Sequence, residues 1–133
     1  MMKENSADRR SSGNGHNWDA SFEVQNAYVE VKKCCLFHQG KWQRGMIHRI
    51  SMHGAALVMK KPFECGDKVE LMMHLAAYHQ PVHARGIVIR NREKPPYFEV
   101  GVEFLKIRKE DAEKFDKDRY LENLLKRRDS ELI

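Results

Sequence analysis

The sequence predicts a mainly β fold: a small six-stranded antiparallel barrel, closed or partly open, followed by one C-terminal amphipathic helix. Three observations carry this expectation. Tyr97 to Leu105 alternates Phe98, Val100, Val102 and Phe104 with Tyr97, Glu99, Gly101 and Glu103, the period of a half-buried strand. Short runs of apolar and β-branched residues recur from Ala27 onward, separated by links containing Gly, Pro or charge. After Lys106 the apolar residues shift to spacings of three and four, which is the period of a helix. Closing such short strands into a barrel removes the unpaired edges that an open sheet leaves exposed.

Taken in order, residues 1–26 read as a flexible leader and residues 27–133 as barrel plus helix. Met1 to His16 is polar, with Ser11, Ser12, Gly13 and Gly15 close together and no period that would bury a face. Trp18, Phe22, Val24 and Tyr28 then bring the chain into apolar company as a short segment laid against the body. Ala27 to Phe37 is the first strand, with Val29, Val31 and Lys33 on one side and Tyr28, Glu30 and Lys32 on the other. His38 to Gly40 turns the chain, and Lys41 to Ile50 returns as the second strand of a hairpin.

Ser51 to Ala56 is a corner of small residues pivoting on Gly54, which marks a tight bend or a close backbone approach. Arg49, Ser51 and His53 stand around it as polar groups that a barrel would present to solvent or ligand. Ala55 to Met59 is a third strand, and Lys60 to Asp67 a loop in which Pro62 cannot donate to a ladder and Gly66 suits a turn. Val69 to Ala77 and Val82 to Arg90 form the next strands, joined by the hairpin-length link Tyr78-His79-Gln80-Pro81. Asn91 to Pro96 reads as a charged turn before the Tyr97 strand.

In the helical region Ala112, Phe115, Tyr120, Leu121, Leu124 and Leu125 make the apolar stripe. Glu110, Asp111 and Glu113 fall in the predicted first turn and Lys126, Arg127 and Arg128 in the last, matching the helix dipole. Two roles are open for Phe115, Leu121, Leu124 and Leu125: capping one end of the barrel, or forming an interaction surface for a partner.

Composition narrows the function classes. At 133 residues the chain is sized for one domain with a real core. No apolar run approaches the roughly 18 residues of a membrane span and no signal-type segment follows Met1, so a cytoplasmic protein is expected. Cys34, Cys35 and Cys65 form an odd set without a metal-type spacing, in keeping with a reducing compartment. Cys34 and Cys35 read as strand neighbours on opposite faces, with a vicinal redox pair as the alternative.

The net charge of +5 sits in the middle of the chain, where residues 29–105 hold 12 basic against 7 acidic groups. A basic surface of this kind favours an anionic partner. Trp42, near Lys41 and Arg44, is the one aromatic placed among cations there, too few for the stacking platforms of a nucleic-acid binder. No enzyme is indicated: no Ser or Cys has an acid/base partner in the sequence. His79 and His83 flank Pro81 and share no helical face, so neither a metal nor a cofactor is expected.

Four stretches together resemble a PilZ domain: Gly45 to Leu57, Phe63-Glu64-Cys65-Gly66-Asp67-Lys68-Val69, Ala84 to Arg90, and Tyr97 to Phe104. The resemblance covers roughly residues 27 to 125. It implies a six-stranded barrel of bacterial signalling, in a family of which many members bind cyclic di-GMP. The family does so with Arg-x-x-x-Arg on an N-terminal arm and Asp/Asn-x-Ser-x-x-Gly at a barrel corner. The second motif falls on Arg49-Ile50-Ser51-Met52-His53-Gly54, where Ser51 and Gly54 match and Arg49 does not.

Arg49 offers donors where a carboxylate or amide would accept from a guanine edge, although it can still meet a phosphate or guanine O6 and N7. The arm departs too, since Arg9 and Arg10 are adjacent and no other arginine precedes Arg44. Three readings follow. In the first, a degenerate PilZ domain binds a signalling or motility protein through its corner and helix. In the second, cyclic di-GMP still binds through Arg9, Arg10, Arg49, Ser51, His53 and Gly54. The third is another barrel altogether, a nucleic-acid binder among them.

Overall fold

The computed structural model describes residues 20–34 and 40–132. Seven strands run in the order β1 (Phe22–Glu23), β2 (Tyr28–Lys33), β3 (Gln43–Ile50), β4 (Gly54–Met59), β5 (Lys68–His74), β6 (Val82–Lys94) and β7 (Tyr97–Lys106). Two helices follow, α1 (Lys109–Glu113) and α2 (Lys117–Leu132). Going round the sheet, β3 pairs with β2, β2 with β5, β5 with β6, β6 with β7 and β7 with β4. The β3–β4 pairing closes the ring, so six antiparallel strands form the expected barrel and β1 is an addition to it.

The strand alternation reads through to burial. Val29 and Val31 of β2 are buried and pair with Met73 and Leu71 of β5, also buried, whereas Tyr28, Glu30 and Lys32 face out. Val100 and Val102 fill the centre from β7. Phe63, in the loop after β4, adds one of the two largest fully buried side chains among the described residues. Burial of these groups, worth about 25 cal/mol per Å2 of apolar surface, is the main force holding the ring together.

The chain enters the barrel earlier than its polar start suggests. Phe22 and Val24 belong to the core, and Phe22 pairs with Ile50 of β3. Residues 22–31 thus run beside β3, interrupted at Asn26, whose positive φ of 56° kinks the line between β1 and β2.

Two expected boundaries are corrected. Asn91 to Lys94 is not a turn: it continues β6, pairing as far as Lys94↔Tyr97, with a cis Pro95–Pro96 peptide at the tip. This hairpin is mostly exposed beyond the ring, and Glu99 ties its strands by meeting Arg92 and Lys94 at 3.8 and 3.5 Å. A charged sequence is compatible with pairing there because there is no core face to fill.

The single predicted helix is two. The chain breaks at Lys114–Asp116, and Phe115, at the break, is turned fully into the core with its ring 5.9 Å from that of Phe104. Phe115 is therefore not part of an interaction surface; it is the plug of the barrel end. Because α2 extends to Leu132, Lys126, Arg127 and Arg128 lie within the helix and not in its last turn.

Candidate functional site

The corner between β3 and β4 is built as the sequence suggests around Gly54. A Cβ there would sit against the Val102 carbonyl oxygen of β7, so the close approach admits glycine alone without a shift. The Ser51 amide donates to the Gly54 carbonyl at 2.9 Å. Ser51 Oγ accepts the His53 amide at 3.1 Å and donates to the Gly54 carbonyl at 3.4 Å. Ser51 is buried, so its hydroxyl is a brace of the corner and not a group offered to solvent. The Phe104 amide then donates to the His53 carbonyl at 2.8 Å, welding the corner to the end of β7.

Arg49 is placed differently from the expectation of a presented cation. β3 carries a bulge at His48, between the pairs Ile47↔Leu57 and Arg49↔Ala56. A bulge re-aims the side chains beside it. Arg49 Nε donates to Ser21 Oγ at 2.9 Å and Nη2 to the Ser21 carbonyl at 2.7 Å, with Glu23 3.8 Å from Nη1. The guanidinium thus fastens the incoming chain to the corner. Charge-assisted bonds of this kind are the strong ones, and two donors on one residue also fix its direction.

His53 and Met52 are exposed and line an open cleft of about 610 Å3 with Glu103, Phe104, Leu105, Lys106 and Ile107. The corner therefore gathers Arg49, Ser51, His53 and Gly54 into one place, but with Arg49 and Ser51 committed to intramolecular bonds. Arg9 and Arg10 lie outside the described residues. Among the described residues no group of three or more His, Cys, Asp or Glu could hold a metal ion. In the same residues no helix is long and apolar enough to cross a membrane.

The helices close this same end of the barrel. Tyr120 is buried against Phe22 and Tyr78, ring centroids 5.4 and 5.9 Å apart. Tyr78 donates its hydroxyl to the Lys114 carbonyl at 2.7 Å, and burial, with the neighbouring Tyr120, pushes its pKa up to about 12. The phenol thus keeps its proton, and its donor role, through the neutral range. Arg127 donates to the Ala76 carbonyl, tying α2 to the β5–β6 link. Of the predicted interaction stripe, Leu124 is partly buried against the core, whereas Leu121 and Leu125 are exposed at 44% and 58%. Leu121 and Leu124 line a groove of about 420 Å3 between α2 and residues 23–26.

The Arg49–Ser21 joint was not legible in the sequence. Its partners stand 28 residues apart, and no local pattern links them.

A model of the PilZ domain matches residues 29–122. The chain belongs to the PilZ domain family. Among solved structures, the Bacillus subtilis inhibitor of motility (MotI/DgrA) is similar to this PilZ domain with a TM-score of 0.60 at 18% identity, covering 81% of this chain and 51% of that one. K. pneumonia MrkH in its apo state matches with a TM-score of 0.58 at 16% identity, over 83% of this chain and 50% of that one. The PilZ domain of YcgR from Escherichia coli, solved with c-di-GMP, matches at 0.54 and 8% identity, over 85% and 95%. At these identities the likeness is one of fold. The chain spans about half the length of MotI/DgrA and of MrkH. No match was found among curated proteins.

Proposed function

We propose that this PilZ domain is a non-catalytic, cytoplasmic signalling module that acts by binding a protein partner, in a bacterial pathway linked to cyclic di-GMP. The observation that carries the reading is the engagement of Arg49. It stands where the family motif has an acceptor for guanine, with Nε and Nη2 bonded to Ser21 and Nη1 3.8 Å from Glu23. With Ser51 buried and braced as well, the corner works as a structural joint. The exposed leucines of α2, beside the groove against residues 23–26, supply an apolar contact surface of the kind partners use.

One observation favours a second reading, in which cyclic di-GMP binds through a non-standard site. The Ser21–Arg49 joint places the described start of the chain beside the corner, and Arg9 and Arg10 precede Ser21 in the sequence. A cyclic dinucleotide carries two phosphates, and planar guanidinium groups suit them.

Titration of the purified full chain with cyclic di-GMP, by calorimetry and amide NMR with GMP as control, separates the two. The protein-binding reading expects no saturable heat at high micromolar nucleotide. Saturable binding with shifts at Arg9, Arg10, Arg49 and Ser51 would replace it with the receptor reading.

A further inference from the structure

We propose that the outer face of β3, β2 and β5, remote in character from the corner, docks a protein segment rich in Asp or Glu. The inference rests on the protein-binding reading above and names the chemistry of the partner.

The face is laid out by register. Tyr28 stands between Met46 and His74, Glu30 between Arg44 and Met72, and Lys32 opposite Glu70. These residues alternate with the buried Val29, Val31, Leu71 and Met73, so they point away from the core. The Arg44 guanidinium lies 3.9 Å from the Tyr28 ring centroid, and Tyr28 stacks on His74 at 4.2 Å and 8°. Lys32 Nζ sits 4.7 Å from the Trp42 ring centroid. Trp42 and Met46 remain 44% and 59% exposed.

The charges on this face are answered unequally. Both carboxylates have partners: Glu30 meets His74 at 3.2 Å, and Glu70 meets Lys32 at 3.6 Å and His83 at 2.9 Å. Consistent with this, the Glu70 pKa is held below its ordinary value: burial opposes the shift, but the His83 hydrogen bond and the Lys32 charge outweigh it. Arg44, and Arg85 of the adjoining β6, which stands opposite Glu70, are exposed, and among the described residues neither has a carboxylate within 4 Å. The face therefore offers cationic donors without acceptors, beside exposed Trp42 and Met46. An acidic segment with interspersed apolar residues complements both features, and Trp, Tyr and Arg are the side chains that dominate interface energetics. Arg44 is already held against Tyr28, which reduces the ordering cost of using it.

The same geometry argues against single-stranded nucleic acid. A stacking platform needs open ring faces. The Tyr28 ring is flanked by Arg44 from β3 and His74 from β5, and Lys32 covers a face of Trp42.

The test is an amide NMR titration of the full chain with a short synthetic peptide in which Glu alternates with Ser and Leu, and with its Gln counterpart. Saturable shifts centred on Trp42, Arg44, Met46 and Arg85 are expected with the Glu peptide and not with the Gln peptide. Arg44→Glu should weaken binding at least about tenfold, whereas Lys109→Glu, the same charge change on α1, should leave it within about twofold. Equal weakening by both variants would reduce the effect to net charge and overturn the proposal. So would equal binding of the Gln peptide, or preferential shifts on the same residues with oligothymidylate. Saturable cyclic di-GMP binding would instead remove the protein-binding reading while leaving the peptide result to be read by itself.

Discussion

Arg44 and Arg49 lie on the same strand, five residues apart, and the protein uses them in opposite ways. Arg49 stands beside a bulge and reaches the Ser21 hydroxyl and carbonyl, so its charge holds two parts of the chain together. Arg44 sits in regular pairing opposite Glu30, rests on the Tyr28 ring and, among the described residues, meets no carboxylate. An arginine becomes a structural clamp or an available contact according to the acceptors within its reach. The clamp lies in the stretch that resembles the family's ligand motif, and Arg44 lies outside that stretch.

The comparison can be broken most forcefully by loosening the end of the barrel that holds Arg49. Phe115→Ala should destabilise the protein by about 3–5 kcal/mol, as aromatic truncations in cores do. Denaturant unfolding measures this, and a neutral result would mean that α1 and α2 are not the cap. Arg49→Ala comes next at about 1.5–3 kcal/mol, the range for hydrogen bonds to charged groups. Its signature is local: amide exchange at Phe22 and Val24 should quicken while β6 and β7 are unchanged. Unaltered exchange at Phe22 would show that the joint does not hold β1.

Ser51→Ala should cost about 1 kcal/mol, because the His53 amide loses its acceptor. Thermal unfolding of the variant tests whether the hydroxyl braces the corner. Arg44→Ala should be smallest, within about 1 kcal/mol, since a cation–π contact at an exposed site is worth no more. A loss as large as that of Arg49→Ala would erase the distinction between the two arginines.

A pH effect sharpens the same contrast. Burial works to raise the Asp111 pKa, but bonds from Arg108 at 3.1 Å and Lys114 at 3.2 Å prevail and hold it below the ordinary carboxylate value. A depressed folded-state pKa gives stability that is present above the unfolded value of about 3.9 and is lost as pH falls through the folded value. Acid unfolding below about pH 4 should therefore be less steep in Asp111→Asn than in the parent. Superimposable acid limbs would rule Asp111 out as an anchor of α1.

What could be read before the structure was whatever local periodicity encodes. The alternation of Val29 and Val31 and of Val100 and Val102 reports burial on one face, and β2 and β7 follow it. Gly54 marks the corner because only glycine tolerates the Val102 carbonyl so near. Where no face is buried the pattern fails, and Asn91 to Lys94 reads as a turn although it pairs with β7. The helical stripe likewise suggests one continuous face, but Phe115 fills the core beside Phe104 only because the helix breaks there.

By itself, the sequence determined the mainly β class, the succession of strands along the chain and the corner, since each follows from side-chain type at short spacing, and the four stretches from Gly45 to Phe104 carry the resemblance to the PilZ family. Tertiary structure alone decided that β3 closes the ring on β4 and that β1 joins it. It also decided that Arg49 is held by Ser21 while Arg44 is left to the surface. Those outcomes depend on which distant acceptors the closed barrel brings within about 3 Å of a donor, and a hydrogen bond of that length is set by the fold and not by neighbours along the chain.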